Sequence, residues 1–283
     1  MWMDGHFIPT SEARISVFDR GLAYGDGLFE TMRVYSGVVF LLERHLERLY
    51  RSARFLDLDP GYTEGEIETA VYRLIEGNDV RDGRLKIIVT RGVSGAGLAY
   101  DRDRPAQVIV HAMELRVPSK KNYKLILSSV RHLSTSPLTR HKTLNCLENL
   151  LAYQESKHAG ADEALMRNEA DHITEGTVSN LFLVSAGTLR TPPLRSGLLP
   201  GITREVVLEL ARARGVAVEE SELTLEDLRG VDELFLTNSI FEVMPVREID
   251  GKQFSVPGPI TEVLQQCYRS AVSDYLSRKV GSV

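Results

Sequence analysis

Lys142, Glu175 and Arg48 are the side chains of this sequence whose chemistry asks for an explanation. With them go two turn segments that can present backbone amides, Leu199-Pro-Gly-Ile-Thr-Arg204 and Thr237-Asn-Ser-Ile240. A phosphate-bearing aldehyde cofactor needs an amine to hold it as an imine, an anion site for its phosphate and a partner for its pyridinium nitrogen. Each feature alone has a plainer reading. A single lysine is more often solvated than nucleophilic, Glu175 beside Gly176 reads as a turn carboxylate, and most helix N-termini bind only water. Lys142 is unusual in position: it stands at the entrance of a predicted helix, where a cation opposes the helix dipole.

Other chemistries find little support. The histidines are scattered, with no pair at ligand spacing on one helix and no cysteine cluster nearby, so no metal site is expected. Nucleotide-binding glycine loops and a Gly-x-Ser-x-Gly elbow are both missing. A formal charge of −5 argues against phosphate neutralisation, hence against nucleic acid as a partner. Only Cys146 and Cys267 occur, which suits a reducing compartment. No apolar run is long enough to span a bilayer, and the first residues lack the basic and apolar regions of a secretory signal. The expected location is cytoplasmic, with no membrane partner.

The elements that must position these residues are legible as alternations and amphipathic runs. Asp4-Gly5 predicts a tight hairpin turn. A glycine-rich loop over 17–27 leads to strands over 28–35 and 38–42, split by Ser36-Gly37. Its glycines either let the backbone approach a ligand closely or simply supply unusual φ. Residues 42–55 read as a helix with Leu42, Leu46, Leu49 and Ala53 on one face and Arg44, Arg48 and Arg51 on another, and periodicity alone fits Arg44 and Arg51 to a solvated basic face. Thr63 and Glu66 have capping-box spacing and open a second helix ending near Gly77-Asn78. Strands follow over 85–90 and 107–113, separated by a loop over 92–104 of the kind that often covers sites. A linker is expected over 116–122, between a small domain over 1–115 and a larger one over 123–283. In the larger part, strands are predicted over 123–129, 164–167, 172–174, 181–184, 216–219 and 233–237. Helices are predicted over 144–159, with Leu144, Leu147 and Leu151 inward and Gly160 as its stop, over 203–214 and 224–228, and at the C-terminus from Ile260 to Tyr275.

Six ordered segments carry a resemblance: Tyr24-Gly-Asp-Gly-Leu-Phe-Glu30, His45-Leu-Glu-Arg-Leu49, Lys142-Thr-Leu-Asn145, Thr174-Glu-Gly-Thr-Val-Ser-Asn-Leu-Phe182, Leu199-Pro-Gly-Ile-Thr-Arg204 and Asn238-Ser-Ile-Phe-Glu-Val-Met-Pro-Val246. Through them nearly the whole chain resembles the fold-type IV pyridoxal-phosphate enzymes of the class-IV aminotransferase family. That group includes branched-chain aminotransferases, D-amino-acid aminotransferases and aminodeoxychorismate lyases. The resemblance implies a two-domain α/β (α+β) fold, a small N-terminal α/β domain and a larger β-rich C-terminal domain, with pyridoxal 5′-phosphate in the interdomain cleft. It also implies a homodimer, with the 92–104 loop as the candidate segment reaching the partner's site.

Residue by residue, the resemblance implies that Lys142 forms the imine with the cofactor and shuttles the proton at substrate Cα. Glu175 would face the pyridine nitrogen, and Arg48 would grip the phosphate through its fork of donors. Ser179, Asn180, Leu199, Ile202, Thr203 and Ser239 would complete the cofactor site, Leu199 against the ring. Tyr24, Phe29, Thr31, Lys86 and Ile240 would line the substrate side. For Leu199 an ordinary core leucine is an equal reading, and for Tyr24, Phe29 and Thr31 the plainer reading is that a strand simply buries them.

The branch is read from departures. D-amino-acid aminotransferases place an Arg and a His two apart in the loop after Thr-Arg-Gly-Val. Here Thr90-Arg-Gly-Val93 leads to Ala96 and Leu98. Branched-chain enzymes have Phe-Glu-Gly where this chain has Phe29-Glu30-Thr31, and a tyrosine where it has Leu147. Thr31, Lys86 and Lys142-Thr-Leu-Asn-Cys-Leu-Glu148 look most like aminodeoxychorismate lyase, whose loop arginine is replaced by Ala96. The expectation is ping-pong transamination between an amino acid with an apolar or branched side chain and a 2-oxo acid such as 2-oxoglutarate. Aminodeoxychorismate lyase is the alternative, ahead of a D-amino-acid aminotransferase or a binding protein without catalysis.

Overall fold

The computed structural model describes residues 1–95, 97–115 and 120–280, and its chain divides into two compact units. The first comprises Met1–Arg116, His141–Asn145 and Tyr275–Val283, and the second Val117–Arg140 and Cys146–Asp274. Of the expected linker, residues 116–119 lie outside the described residues, as does Ala96.

In the first unit, β1 (Trp2–Met3) and β2 (His6–Phe7) form the hairpin around Asp4-Gly5, both at positive φ. α1 (Arg20–Tyr24) precedes β3 (Gly27–Tyr35), β4 (Val38–Val39), α2 (Leu42–Phe55), α3 (Glu64–Gly77), β5 (Gly83–Thr90) and β6 (Gln107–Glu114). The expected strand over 38–42 is shorter because Leu41 turns left-handed and becomes the residue from which α2 starts. The six strands make one sheet in the order β2-β1-β6-β5-β3-β4, and β3, β5 and β6 pair antiparallel over their lengths. On one face Leu28, Met32, Val34, Leu85, Ile87, Val89, Val108 and Val110 are buried in a single core with the apolar sides of α2 and α3. The Thr63–Glu66 capping box forms and starts α3, satisfying two otherwise orphaned N–H groups.

Lys142 sits in this first unit, and not at a helix entrance. Phe29 N–H donates to Lys142 O (2.9 Å) and Leu144 N–H to Gly27 O (3.0 Å), so residues 142–144 run extended along the edge of β3. Extended backbone bridged to Leu28 at Thr143 is not helical, so α4 starts only at Leu147.

The second unit begins with β7 (Tyr123–His132), followed by α4 (Leu147–His158), β8 (Glu163–Asn168), β9 (Ile173–Gly176), β10 (Asn180–Ser185), β11 (Thr188–Thr191), α5 (Ile202–Ala213), β12 (Ala217–Glu220), α6 (Leu225–Arg229), β13 (Glu233–Asn238), β14 (Glu242–Ile249) and β15 (Lys252–Gln253). α7 (Pro259–Val280) closes the chain; its residues from Tyr275 onward belong to the first unit. Strands β10-β13-β14-β7-β8-β9 are paired in series, and β9 pairs back to β10, closing a ring. β11 and β12 extend it from β10, and β15 pairs with β14. Leucines from several strands, Leu125, Leu165, Leu181, Leu183, Leu234 and Leu236, share one core. Closure leaves those six strands without an exposed edge.

α4 departs from the sequence pattern. Leu147, Leu150 and Leu151 are exposed, and the buried positions are Ala152 and Ser156. Small side chains let this helix lie close to β7 and β8, and the bulky leucines turn away. The helix ends before Gly160, which has the positive φ its stop requires. Among the described residues no helix is long and apolar enough to cross a membrane.

Candidate active site

In the first unit the site is built on β3. Its alternation puts Leu28, Glu30, Met32 and Val34 on the core face and Phe29, Thr31 and Arg33 on the other. A carboxylate in an apolar row needs a partner. Glu30 finds two on α2: Arg48 donates Nε to Oε1 (2.8 Å) and Nη2 to Oε2 (2.7 Å), and His45 Nδ1 lies 2.8 Å from Oε2. Arg48 is therefore buried, at 4% exposure, and is not part of a solvated basic face with Arg51. Burial pushes the Glu30 carboxyl up, but the Arg48 charge and the His45 contact outweigh it and hold it down to about 2. His45 is pushed below its ordinary value, first by burial and further by the charges of Arg48 and Lys142, against the pull of Glu30.

On the opposite face of β3, the ammonium groups of Lys142 and Lys86 lie 4.5 and 4.7 Å from the Phe29 ring centroid. Thr31 is the cross-strand partner of Lys86. Phe29, Thr31, Lys86 and Lys142 are thus brought together. Tyr24, at the end of α1, is half exposed with the Arg20 guanidinium 5.0 Å over its ring.

The glycine-rich loop before β3 serves the chain itself. A Cβ on Gly27 would stand 2.4 Å from Val89 O and 2.8 Å from Leu144 Cδ1, and one on Gly25 would meet Asn145 Oδ1 at 2.7 Å. Asn145 Nδ2 donates to Gly25 O (2.9 Å), which ties the Lys142 segment to this turn. Between the glycines, Asp26 receives Arg20 Nε (2.9 Å) and Arg91 Nε (2.8 Å) on one oxygen. Arg20 in turn donates to the carbonyls of Gly97 and Ala99 (2.8 and 3.1 Å), folding the loop after β5 onto α1.

In the second unit, Glu175 at the end of β9 is held on Oε2 by Asn180 Nδ2 (3.2 Å) and the Leu199 N–H (3.1 Å); Asn180 also donates to Leu199 O (3.0 Å). Glu175, Asn180 and Leu199 therefore form one bonded group, with Ser179 adjacent and buried. α5 starts at Ile202 from Gly201 with no side-chain cap, and Ile202 and Thr203 are both buried. The first N–H groups of a helix have no partner within it, so this end can receive an anion. Thr237 Oγ1 is buried without a hydrogen-bond partner, one strand over from Asn180 in register. Ser239 and Ile240 sit half-buried in the turn just after it. An uncapped helix start beside orphaned polar atoms and a fixed carboxylate fits a phosphate-bearing ring cofactor.

Three residues escaped the sequence reading of roles. Glu30 was detectable as a carboxylate inside an alternating apolar strand, and His45 by its spacing from Arg48 on α2. His132, which lies near both Glu148 and Glu175, carries no local signal.

Residues 27–249 match the family model described as Amino-transferase class IV. A Methanocaldococcus jannaschii protein assigned as a branched-chain-amino-acid aminotransferase is 38% identical over 95% of each chain. D-alanine aminotransferase of Bacillus licheniformis is 31% identical over 98% of each, and aminodeoxychorismate lyase of Bacillus subtilis 31% identical over 99% of this chain and 97% of its own. Among solved structures, a branched-chain amino acid aminotransferase of T.th. complexed with N-(5′-phosphopyridoxyl)-L-glutamate superposes with a TM-score of 0.90 at 32% identity, covering 96% of this chain and 93% of that one. The chain belongs to the class IV aminotransferase family, whose members depend on pyridoxal phosphate.

Proposed function

We propose that this chain binds pyridoxal 5′-phosphate and transfers the amino group of amino acids with apolar, branched side chains to a 2-oxo acid such as 2-oxoglutarate. The observation that carries the reading is the Lys142 segment, pinned to β3 by the backbone of Phe29 and Gly27 with its ammonium over Phe29. When bound, the cofactor supplies an aldehyde that exchanges amines and a ring that accepts the electrons released at substrate Cα. Lys142 takes and returns the proton at Cα. Glu175, its orientation set by Asn180 and Leu199, holds the proton on the ring nitrogen. Arg48, oriented by Glu30, supplies positive charge to the phosphate, and Ile202, Thr203 and Ser239 supply N–H and O–H donors. Ser179 supports the Glu175 turn and Leu199 packs on the ring. Tyr24, Phe29, Thr31, Lys86 and Ile240 surround the substrate.

The enzyme acts as a homodimer in the cytoplasm. Val17, Phe18, Leu22 and Leu98, 62–83% exposed in the first unit, support a surface covered by a second copy, and the two free cysteines support a reducing compartment.

A second reading, aminodeoxychorismate lyase, is supported by the pairing of Thr31 with Lys86, a hydroxyl and an ammonium on one face suited to an anionic substrate. Adding L-leucine to the loaded protein should move its visible absorbance to that of pyridoxamine phosphate. If L- and D-amino acids leave the spectrum unchanged while aminodeoxychorismate yields p-aminobenzoate and pyruvate, the lyase reading replaces it. A protein that takes up no pyridoxal phosphate overturns both.

A further inference from the structure

His132 ends β7, buried at 7% exposure, and its two ring nitrogens face two different carboxylates of the second unit. Nδ1 lies 3.1 Å from Glu148 Oε2, at the first turn of α4, and Nε2 lies 3.9 Å from Glu175 Oε1, on β9. Nε2 is buried and has no hydrogen-bond partner. A buried ring nitrogen left unmatched destabilises the fold, so its placement beside a carboxylate asks for a reason. Packing alone gives none, because an apolar ring would fill the same space without that cost.

Glu175 presents its two carboxylate oxygens to different neighbours. Asn180 Nδ2 and the Leu199 N–H both reach Oε2, and His132 lies toward Oε1. Asn168 is its strand neighbour on β8, and Arg131, next along β7, is paired with Asp171 at 2.6 Å. The carboxylates recorded at the imidazole are thus Glu148 and Glu175.

We propose that His132 is a positioning residue for Glu175, the middle member of a Glu148–His132–Glu175 chain in which Glu148 orients the imidazole and Nε2–H steadies the second carboxylate. The importance of that carboxylate rests on the proposed function above, in which Glu175 serves the ring nitrogen of the cofactor. A proton on both ring nitrogens makes the contact with Glu175 attractive, whereas a lone pair on Nε2 would face the carboxylate and repel it. The chain carries charge from the solvent-facing start of α4 to the buried end of β9, so a change at Glu148 is felt at Glu175 without contact between them.

The test is a histidine NMR titration of the protein free of cofactor, with the His132 resonance assigned by its loss in His132→Gln. Opposite charge nearby favours the imidazolium, so Glu175→Gln and Glu148→Gln should each move the His132 resonance's titration to lower pH than in the wild type. In the loaded protein, His132→Gln should change the pH dependence of the cofactor's absorbance, which loss of packing alone would not move. An unchanged or raised midpoint in Glu175→Gln overturns the proposal, even where Glu148→Gln lowers it. Because the titration needs no cofactor, it judges the His132–Glu175 link even if the protein takes up no pyridoxal phosphate, an outcome that would sink the functional reading alone.

Discussion

Arg48 and Glu30 face each other in a fork of two charge-assisted hydrogen bonds, 2.8 and 2.7 Å long, with side chains 5% and 1% exposed. The pair joins α2 to β3 inside the core of the first unit, and His45 completes it. Removing one partner of a buried pair strands the other charge, and Glu30→Ala is expected to cost roughly 3–5 kcal/mol, read from urea unfolding at neutral pH.

Acid should weaken the same joint. Glu30 is depressed from 4.5 to about 2, so its stabilisation is complete above 4.5 and is lost as pH falls through about 2. His45 is depressed below 6.5, so the unfolded chain binds its proton first and stability already declines as pH drops below 6.5. Both act in one direction. Unfolding midpoints followed from pH 7 to pH 3 should fall steadily in the wild type, and less steeply in a Glu30→Gln, His45→Gln double variant.

Asp26 gathers Arg20 and Arg91 at 2.9 and 2.8 Å, and Arg20 holds the backbone of the loop after β5. Asp26→Asn removes the charge that both guanidiniums share, at a cost of roughly 1–3 kcal/mol. Amide exchange in residues 97–101 should rise while that of β6 stays unchanged. Equal protection in the two proteins would mean that the loop is held by other contacts.

Two glycines should respond with opposite sign. Gly27→Ala forces a methyl to 2.4 Å from Val89 O and should destabilise by roughly 1–3 kcal/mol. Gly65, inside α3 with nothing within 4 Å of its would-be Cβ, should gain about 0.4–1 kcal/mol as alanine. Thermal midpoints of the two variants measured side by side check the pair.

Lys142→Ala should abolish the mass increment that borohydride reduction fixes in the loaded wild type. Turnover should drop roughly 10²–10⁴-fold or more, since the variant lacks the base at Cα. An increment that survives in the variant would assign the amine to another lysine, with Lys86 on the same ring the first to examine.

Sequence alone determined the features whose causes lie within a few residues. The Asp4-Gly5 hairpin, the capping box at Thr63, the alternation of β3 and the six ordered family segments were all legible in the sequence. Tertiary structure decided what depends on partners distant along the chain. The sequence pattern gave α4 an inward row of leucines, but contact with β7 and β8 selected Ala152 and Ser156, because close approach needs small side chains. It set Lys142 before a helix, but the carbonyl of Gly27, 117 residues upstream of Leu144, holds residues 142–144 extended along β3, and helical backbone starts only at Leu147. Periodicity placed Arg48 in a row with Arg44 and Arg51, but Glu30, 18 residues away on a neighbouring element, is what draws it inward. Local pattern records which side chains could be buried or charged; only strand register and packing determine which of them meet.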